Sequence, residues 1–292
     1  MASLLSSWSF NLQSLPATYV VPAEKRPGKP APISKDIQVI DLGNLNRGDL
    51  VQKIIQASQE FGLFQVINHG VPEMLMIDTD NIGKEFFSMA TEENETLSSA
   101  DDAQKGWKLY TSSGSYIAQD FKYWKDTLEH SVILLRLASK LGLIIQQDIA
   151  CPDPSSALGV GGHYDGNLIT ILQQDVYGLQ LFKDGQWLGV EPLSNAFVIN
   201  IAFALEVISN GTLKSAMHRV VTNSDYSRTS LASFVNFPFD KIIEPAKSVV
   251  SPSNPPVFRG FQFKEFFEVL FSKNSNMEAT FEYFKINSQA SK

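Results

Sequence analysis

The sequence predicts a mainly β protein with flanking helices, an α+β chain whose second half is a sandwich or a double-sheet jelly roll. Three observations carry that expectation. Six short runs (168–172, 179–182, 187–190, 196–201, 216–222 and 229–235) are separated by turn signals such as Lys183-Asp184-Gly185 and Asn210-Gly211. On either side of them apolar residues recur at helical spacing: Leu50, Ile54, Ala57 and Phe61 before, and Phe263, Phe266, Phe267 and Leu270 after. A hydrophobic content of 43% against 19% charged, in 292 residues, is enough for a large core in one or two domains.

In chain order, residues 1–36 form an extended N-terminal arm, because Pro16, Pro22, Pro27, Pro30 and Pro32 interrupt any regular element. Residues 37–144 make an N-terminal region of helices and short strands. It opens with a strand at 37–42, followed by a helix that Gly62 ends and a second strand at 63–67. Asn68-His69-Gly70 is then a turn into a helix with Pro72 in its first turn. His69 is read as a turn histidine capping backbone groups, and His130, on an apparent helix, as structural. Residues 91–119 are polar and expected to be a mobile loop, in which Trp107, Tyr110 and Tyr116 line or cover a pocket. Residues 145–245 hold the jelly-roll core, and 246–292 the C-terminal amphipathic helix.

Composition narrows the function. A net charge of −7 without any basic run argues against nucleic acid as a partner. The longest apolar run, 132–145, is interrupted by Arg136 and Lys140 and is too short to span a bilayer. The start lacks the features of a signal peptide, so a soluble, cytoplasmic, monomeric protein is expected, without membrane association. The single cysteine, Cys151, forms no internal disulfide and, beside Pro152, is read as a packing residue.

The chemistry concentrates in Gly162-His163-Tyr164-Asp165-Gly166-Asn167. Side chains two apart on a strand project from one face, so His163 and Asp165 can hold one metal ion together. His218, in the apolar stretch 215–221, is the candidate third ligand. Two imidazoles and a carboxylate suit non-haem Fe(II) with open positions for substrate and O₂, although zinc accepts the same donors. Arg228 and Ser230 tip the choice towards iron. A guanidinium fork with a hydroxyl two residues on can bind the carboxylate of a dicarboxylic co-substrate. Taken singly, each of these residues has an ordinary reading as a surface turn, a hydrogen-bonded histidine or a salt-bridged arginine. Their order and spacing together are what point to a site.

These motifs, with 61–70, 123–128, 151–156, 168–175 and 218–221, resemble the plant-type 2-oxoglutarate and Fe(II)-dependent dioxygenases over most of the chain. The resemblance implies a double-stranded β-helix, the cupin-like jelly roll, with iron at its open end. It implies His163, Asp165 and His218 as catalytic metal ligands and Arg228 and Ser230 as the grip on 2-oxoglutarate. Ascorbate would act as reductant. A small-molecule substrate and O₂ are the partners, and hydroxylation, epoxidation or desaturation of a specialised metabolite, an alkaloid among the options, would release succinate and CO₂. Asp126, Asn167, Tyr164, Trp124 and Phe234 are candidates to line the substrate pocket.

Two departures stand beside the resemblance. Family members carry a co-substrate-binding asparagine and tyrosine where this chain reads Gln146-Gln147-Asp148-Ile149-Ala150. The spacing around 128–151 is also short, which predicts the loss of part of a long helix and of a core strand. The alternative function is accordingly a truncated, catalytically inactive homologue that still binds metal and ligand.

Overall fold

The computed structural model describes residues 4–43, 46–89, 106–112, 121–134, 139–273 and 276–286. Residues 4–36 are pinned to the body rather than extended away from it. A short helix, Leu5–Trp8, is capped by the Asp126 carboxylate, which accepts from the backbone N–H of Leu5 (2.9 Å) and Ser6 (2.8 Å). Leu5, Tyr19 and Val21 are buried anchors, and Trp8 and Tyr19 pack edge-on against Trp124.

The N-terminal region then follows the pattern of its apolar residues. Strand β1 (Val39–Asp41) leads to helix Arg47–Glu60, whose N-cap Asn46 accepts from the Asp49 N–H at 3.0 Å. Gly62 ends that helix at φ +67°, where a β-carbon would run into the Lys214 carbonyl. Strand β2 (Leu63–Ile67) and helix Glu73–Ser88 follow, with Pro72 as N-cap.

Further strands are β3 (Trp107–Thr111), β4 (Asp126–Leu134), β5 (Ser139–Asp148), β6 (Leu158–His163), β7 (Ile169–Gln174), β8 (Leu179–Lys183) and β9 (Gln186–Gly189). They are followed by β10 (Phe197–Ile201), β11 (His218–Val221), β12 (Arg228–Asn236), β13 (Ile242–Ile243) and β14 (Phe261–Gln262). The major sheet has the order β1-β2-β10-β7-β12-β5-β4-β3, the minor sheet β6-β11-β8-β9, and β13 pairs with β14. Only β1–β2 is parallel within these sheets. The main core lies between the two large sheets: Leu63, Leu172, Val198 and Ala232 face Val160, Leu179, Leu181 and Val220. This is the jelly roll expected from the turn rhythm.

The structure corrects the expectations for 107–148. Trp107 to Thr111 is strand β3, not loop, and Tyr116 lies outside the described residues. His130 sits on strand β4, paired opposite Trp107 and Leu143, rather than on a helix. The core strand expected to be lost is present in β5, which pairs with β12 at nine successive positions from Asp148↔Arg228 to Lys140↔Asn236. An apolar run of this length has no periodicity that separates helix from strand. Here the unfilled hydrogen-bonding edge of β12 decides, since a buried strand edge left bare would strand its backbone groups.

After the sheets, helix Phe263–Ser272 buries Phe263, Phe266 and Val269 against Phe203, Phe258, Phe261 and Phe284. That aromatic cluster seats the C-terminal segment over the open end of the barrel. Among the described residues no helix is long and apolar enough to cross a membrane.

Candidate active site

His163 closes β6 and His218 opens β11. Antiparallel pairing sets the two directly opposite each other, with ring centroids 4.2 Å apart. Asp165 lies just past the strand end, its Oδ1 3.7 Å from His163 Nε2 and 3.9 Å from His218 Nε2. The three ligand atoms fall within 4.8 Å of one another. Both imidazoles are oriented by the same local contact: Nδ1 lies 2.9 Å from the carbonyl oxygen two residues earlier, Gly161 for His163 and Ala216 for His218. A carbonyl only accepts, so each Nδ1 carries the proton and each Nε2 lone pair faces the shared space. Burial first, and then the neighbouring His218, draws His163 down to about 4 against the pull of Asp165. The ring is therefore neutral at physiological pH, the state a metal requires. On the other side, Asp165 Oδ2 accepts from Thr170 Oγ1 at 2.7 Å. Asn167 Nδ2 steadies that hydroxyl at 3.2 Å and donates to the Ile169 carbonyl at 2.7 Å.

A cavity of about 320 Å³ runs from the triad into the barrel, and Arg228 and Ser230 line it. Phe266, Phe267 and Leu270 of helix Phe263–Ser272 border it as well. Gly166 is required for this closure, since a β-carbon there would collide with the Phe266 ring. Arg228 is 1% exposed. Its Nη1 donates to Asp148 Oδ2 (3.0 Å) and Ser230 Oγ (3.1 Å), and its Nη2 to Gln174 Oε1 (3.1 Å). Arg228 Nε, Asp148 Oδ1 and Gln174 Nε2 are buried without hydrogen-bond partners among the described residues. Lys125, 3% exposed, lines the same cavity. A second cavity, of about 560 Å³, adjoins His163 and Tyr164 from the other side and is bordered by Phe121, Tyr123, Trp187, Met217 and Arg219.

All five residues singled out in the sequence thus border one cavity. Of the five candidates for the substrate pocket, Tyr164 and Phe234 line it. The other three do structural work. Asp126 caps the first helix, Trp124 is fully buried with Nε1 on the Ile149 carbonyl, and Asn167 supports Thr170. His69 accepts from the Val71 N–H and contacts the Asn195 carbonyl, as a turn histidine should. Cys151 is buried beside Trp124 and Ile149, and burial pushes its thiol up, in keeping with packing. Sequence reasoning missed Lys125 as a charge on the cavity wall and Asp148 as the carboxylate behind Arg228. Neither stands out locally, since polar neighbours flank both: Gln147 before Asp148 and Asp126 after Lys125.

A jelly roll carrying two histidines and one aspartate at its open end defines the class of mononuclear non-haem iron oxygenases. Within that class, the chain belongs to the 2OG-Fe(II) oxygenase superfamily. That family's model matches residues 142–237, and the model of the non-haem dioxygenase N-terminal region, described from morphine synthesis, matches 37–136. Hyoscyamine 6-dioxygenase of Hyoscyamus niger is 36% identical, over 98% of this chain and 100% of its own length. That alignment is 346 positions long, so the relative carries segments this shorter chain lacks. Flavanone 3-dioxygenase 2 of Oryza sativa subsp. japonica is 31% identical, over 93% of this chain and 94% of its own. The crystal structure of JOX2 in complex with 2OG, Fe and JA superposes with a TM-score of 0.82 at 28% identity, covering 95% of each chain. The chain is accordingly an oxidoreductase of the dioxygenase type, in a family with plant members named for specialised metabolites. Fe(II) is its metal and 2-oxoglutarate its co-substrate. The donor set fits the first, and a cavity with the triad at one end and a buried cation at the other fits the second.

Proposed function

We propose that this chain hydroxylates a small, largely apolar specialised metabolite, with His163, Asp165 and His218 as the ligands of Fe(II) and Arg228 and Ser230 at the far end of the 2-oxoglutarate site. The observation that carries the reading is the direct pairing of His163 with His218 beside Asp165, in one cavity with Arg228 and Ser230. When bound, iron and 2-oxoglutarate supply the activation of O₂ that couples co-substrate decarboxylation, to succinate and CO₂, to oxidation of a C–H bond.

The chain's own residues do the rest. Gly161 and Ala216 carbonyls hold both imidazoles in one tautomer, and Thr170 fixes the carboxylate, so the ligands need no rearrangement on binding. Phe266, Phe267 and Leu270 give the cavity an apolar border. Phe121, Tyr123, Trp187 and Met217 offer an aromatic, apolar wall to a substrate next to His163. Hydroxylation is the primary outcome, with epoxidation or desaturation if the substrate sits differently. An alkaloid or a phenolic suits that wall.

The test is succinate formation from 2-oxoglutarate by purified protein with Fe(II), ascorbate and air, across a panel of alkaloids and phenolics, with His163→Ala as control. Succinate above the control supports the reading, and the compound that raises it most names the substrate class. The Asp148 carboxylate on Arg228 favours a second reading, an inactive ligand-binding homologue. Folded, metal-binding protein that forms no succinate would leave only that one.

A further inference from the structure

We propose that Lys125 is the cation that receives the distal carboxylate of the dicarboxylic co-substrate in this chain, because Asp148 already neutralises Arg228. The inference rests on the dioxygenase reading above and concerns how this chain completes its co-substrate site.

The argument begins with the guanidinium. Two-pronged capture of a carboxylate needs two parallel N–H groups facing the ligand. Here Nη1 is engaged by Asp148 and Ser230 and Nη2 by Gln174, while Nε is buried and unpaired. Burial pushes the Asp148 carboxyl up, and the Arg228 guanidinium 3.0 Å away pulls it back towards the charged form; as an ion pair the two sum to zero charge, and at 1% and 2% exposed they are dry. A second carboxylate placed on Arg228 would stand beside the first one, and two such charges in a low-dielectric site repel strongly. Asp148 is a built occupant, not a surface residue that has strayed inward. It is the last residue of β5 and is registered directly opposite Arg228. Gly159 on β6 leaves it room, since a β-carbon there would collide with Asp148 Oδ1.

Lys125 changes the balance. With Arg228 and Asp148 it brings the cluster to one net positive charge, which a dicarboxylate chelating the metal at its other end can use. Its segment is rigid: the buried Trp124 and Asp126 flank it, its N–H donates to the Tyr123 carbonyl, and its own carbonyl accepts from Ser112. Among the described residues its ammonium has neither a hydrogen bond nor an ion pair, and Asp148 Oδ1 is likewise unpaired. A lysine kept for structure alone would close on that oxygen, because an ammonium held inside the protein without a partner is costly. After burial, attraction from Asp148 and repulsion from Arg228 act on it, and the ionisable side chains that share its cavity are Tyr110, His163, Tyr164, Asp165 and His218. Burial brings its ammonium down to about 8, which leaves it charged at neutral pH.

The experiment uses nickel(II)-loaded protein, which does not turn over, and calorimetric titration with two acids. Pyruvate shares the chelating 2-oxo-carboxylate of 2-oxoglutarate but lacks the distal carboxylate. Wild type is expected to prefer 2-oxoglutarate. Lys125→Met should lose on the order of thirtyfold in 2-oxoglutarate affinity, the scale of one truncated buried charge contact, with pyruvate unchanged. Asp148→Asn should gain on the order of tenfold for 2-oxoglutarate by removing the competing charge, a gain that no damaged fold can produce. Unchanged 2-oxoglutarate binding in Lys125→Met, an equal loss for both acids, or weaker binding in Asp148→Asn would each overturn the assignment while leaving the dioxygenase reading intact. Wild-type nickel protein that binds neither acid would sink the dioxygenase reading itself, and the assignment with it.

Discussion

The two ends of the cavity are built by opposite means. At the metal end the contacts that orient the ligand side chains are local: each histidine is oriented by the carbonyl two residues before it, and Asp165 by Thr170 five residues on. The long-range steps are made by the backbone, in the pairing of β6 with β11 and in the Phe203 N–H that donates to the Asp165 carbonyl. At the cation end the contacts join Arg228 to Asp148 and Gln174, eighty and fifty-four residues away in sequence. Polar satisfaction differs in the same way. Both oxygens of Asp165 are directed towards partners or ligands, whereas Arg228 Nε, Asp148 Oδ1 and Gln174 Nε2 are left buried and bare. The metal end is therefore pre-assembled for its ligand, and the cation end holds polar groups whose pairing awaits one.

The largest effect tests the first half of that contrast. His163→Ala removes one of three protein donors from a site with no fourth histidine, cysteine, aspartate or glutamate among the described residues. Metal-dependent succinate formation should fall to background, and metal titration should show a loss of affinity of roughly a hundredfold or more, the upper scale seen when even supporting groups of a metal site are lost. Retained turnover would mean that the paired histidines are not the metal end at all.

Arg228→Met comes next and strikes the other half. It leaves Asp148 buried with only the more distant Lys125 opposing its charge. Breaking a buried pair by removing one partner costs on the order of 3 kcal/mol, readable as a lower denaturant midpoint. The double variant Asp148→Asn with Arg228→Met should recover most of that loss. A single variant as stable as wild type would show that the pair contributes nothing to the fold.

The same contrast explains what could be read from the sequence. Strand rhythm, the helices at 50–61 and 263–270, and the triad were legible because their signals are short-ranged: a period of two, a spacing of three or four, and an H-x-D on one strand end. The strands at 126–134 and 139–148 were not, since what makes 139–148 a strand is the edge of β12, eighty or more residues away in sequence, and 126–134 in turn is held by the far edge of 139–148. Asp148 was noticed only as the absence of a tyrosine, because nothing in Gln146-Gln147-Asp148 says that the carboxylate turns inward onto Arg228. Asp126 was read as a pocket residue. Its real partners, the N–H groups of Leu5 and Ser6, lie some 120 positions earlier.

Lys125→Met sharpens the comparison from the side of stability. The folded-state ammonium lies at about 8, below its ordinary 10.5, so between those values the unfolded chain holds a proton that the folded one has shed. Folding stability attributable to this group therefore rises with pH across about 8 to 10.5 and carries the full burial penalty below 8. Methionine removes the penalty. Thermal unfolding of the variant without ligands should show a gain of up to about 3 kcal/mol at pH 7, an upper bound for a fully buried site. The gain should shrink as pH approaches 10. A loss of stability at pH 7 would mean that Lys125 is held by structure, not kept for a ligand.

The smallest effect is the most direct test of pre-assembly. Thr170→Val keeps the shape of a buried side chain and removes only the hydroxyl that donates to Asp165 Oδ2 at 2.7 Å. Asn167 Nδ2 keeps its bond to the Ile169 carbonyl, so the turn after β6 should survive and stability should change little. What changes is the carboxylate, which loses the contact that aims Oδ1 at the two Nε2 atoms and must be ordered by the metal instead. Loss of a group that orients a metal ligand costs roughly tenfold in metal affinity at the low end of its range. That loss should appear in metal titration of the variant while 2-oxoglutarate binding to the metal-saturated protein stays at the wild-type level. If both fall together, the two ends of the cavity are one cooperative unit, and the division drawn between them is wrong.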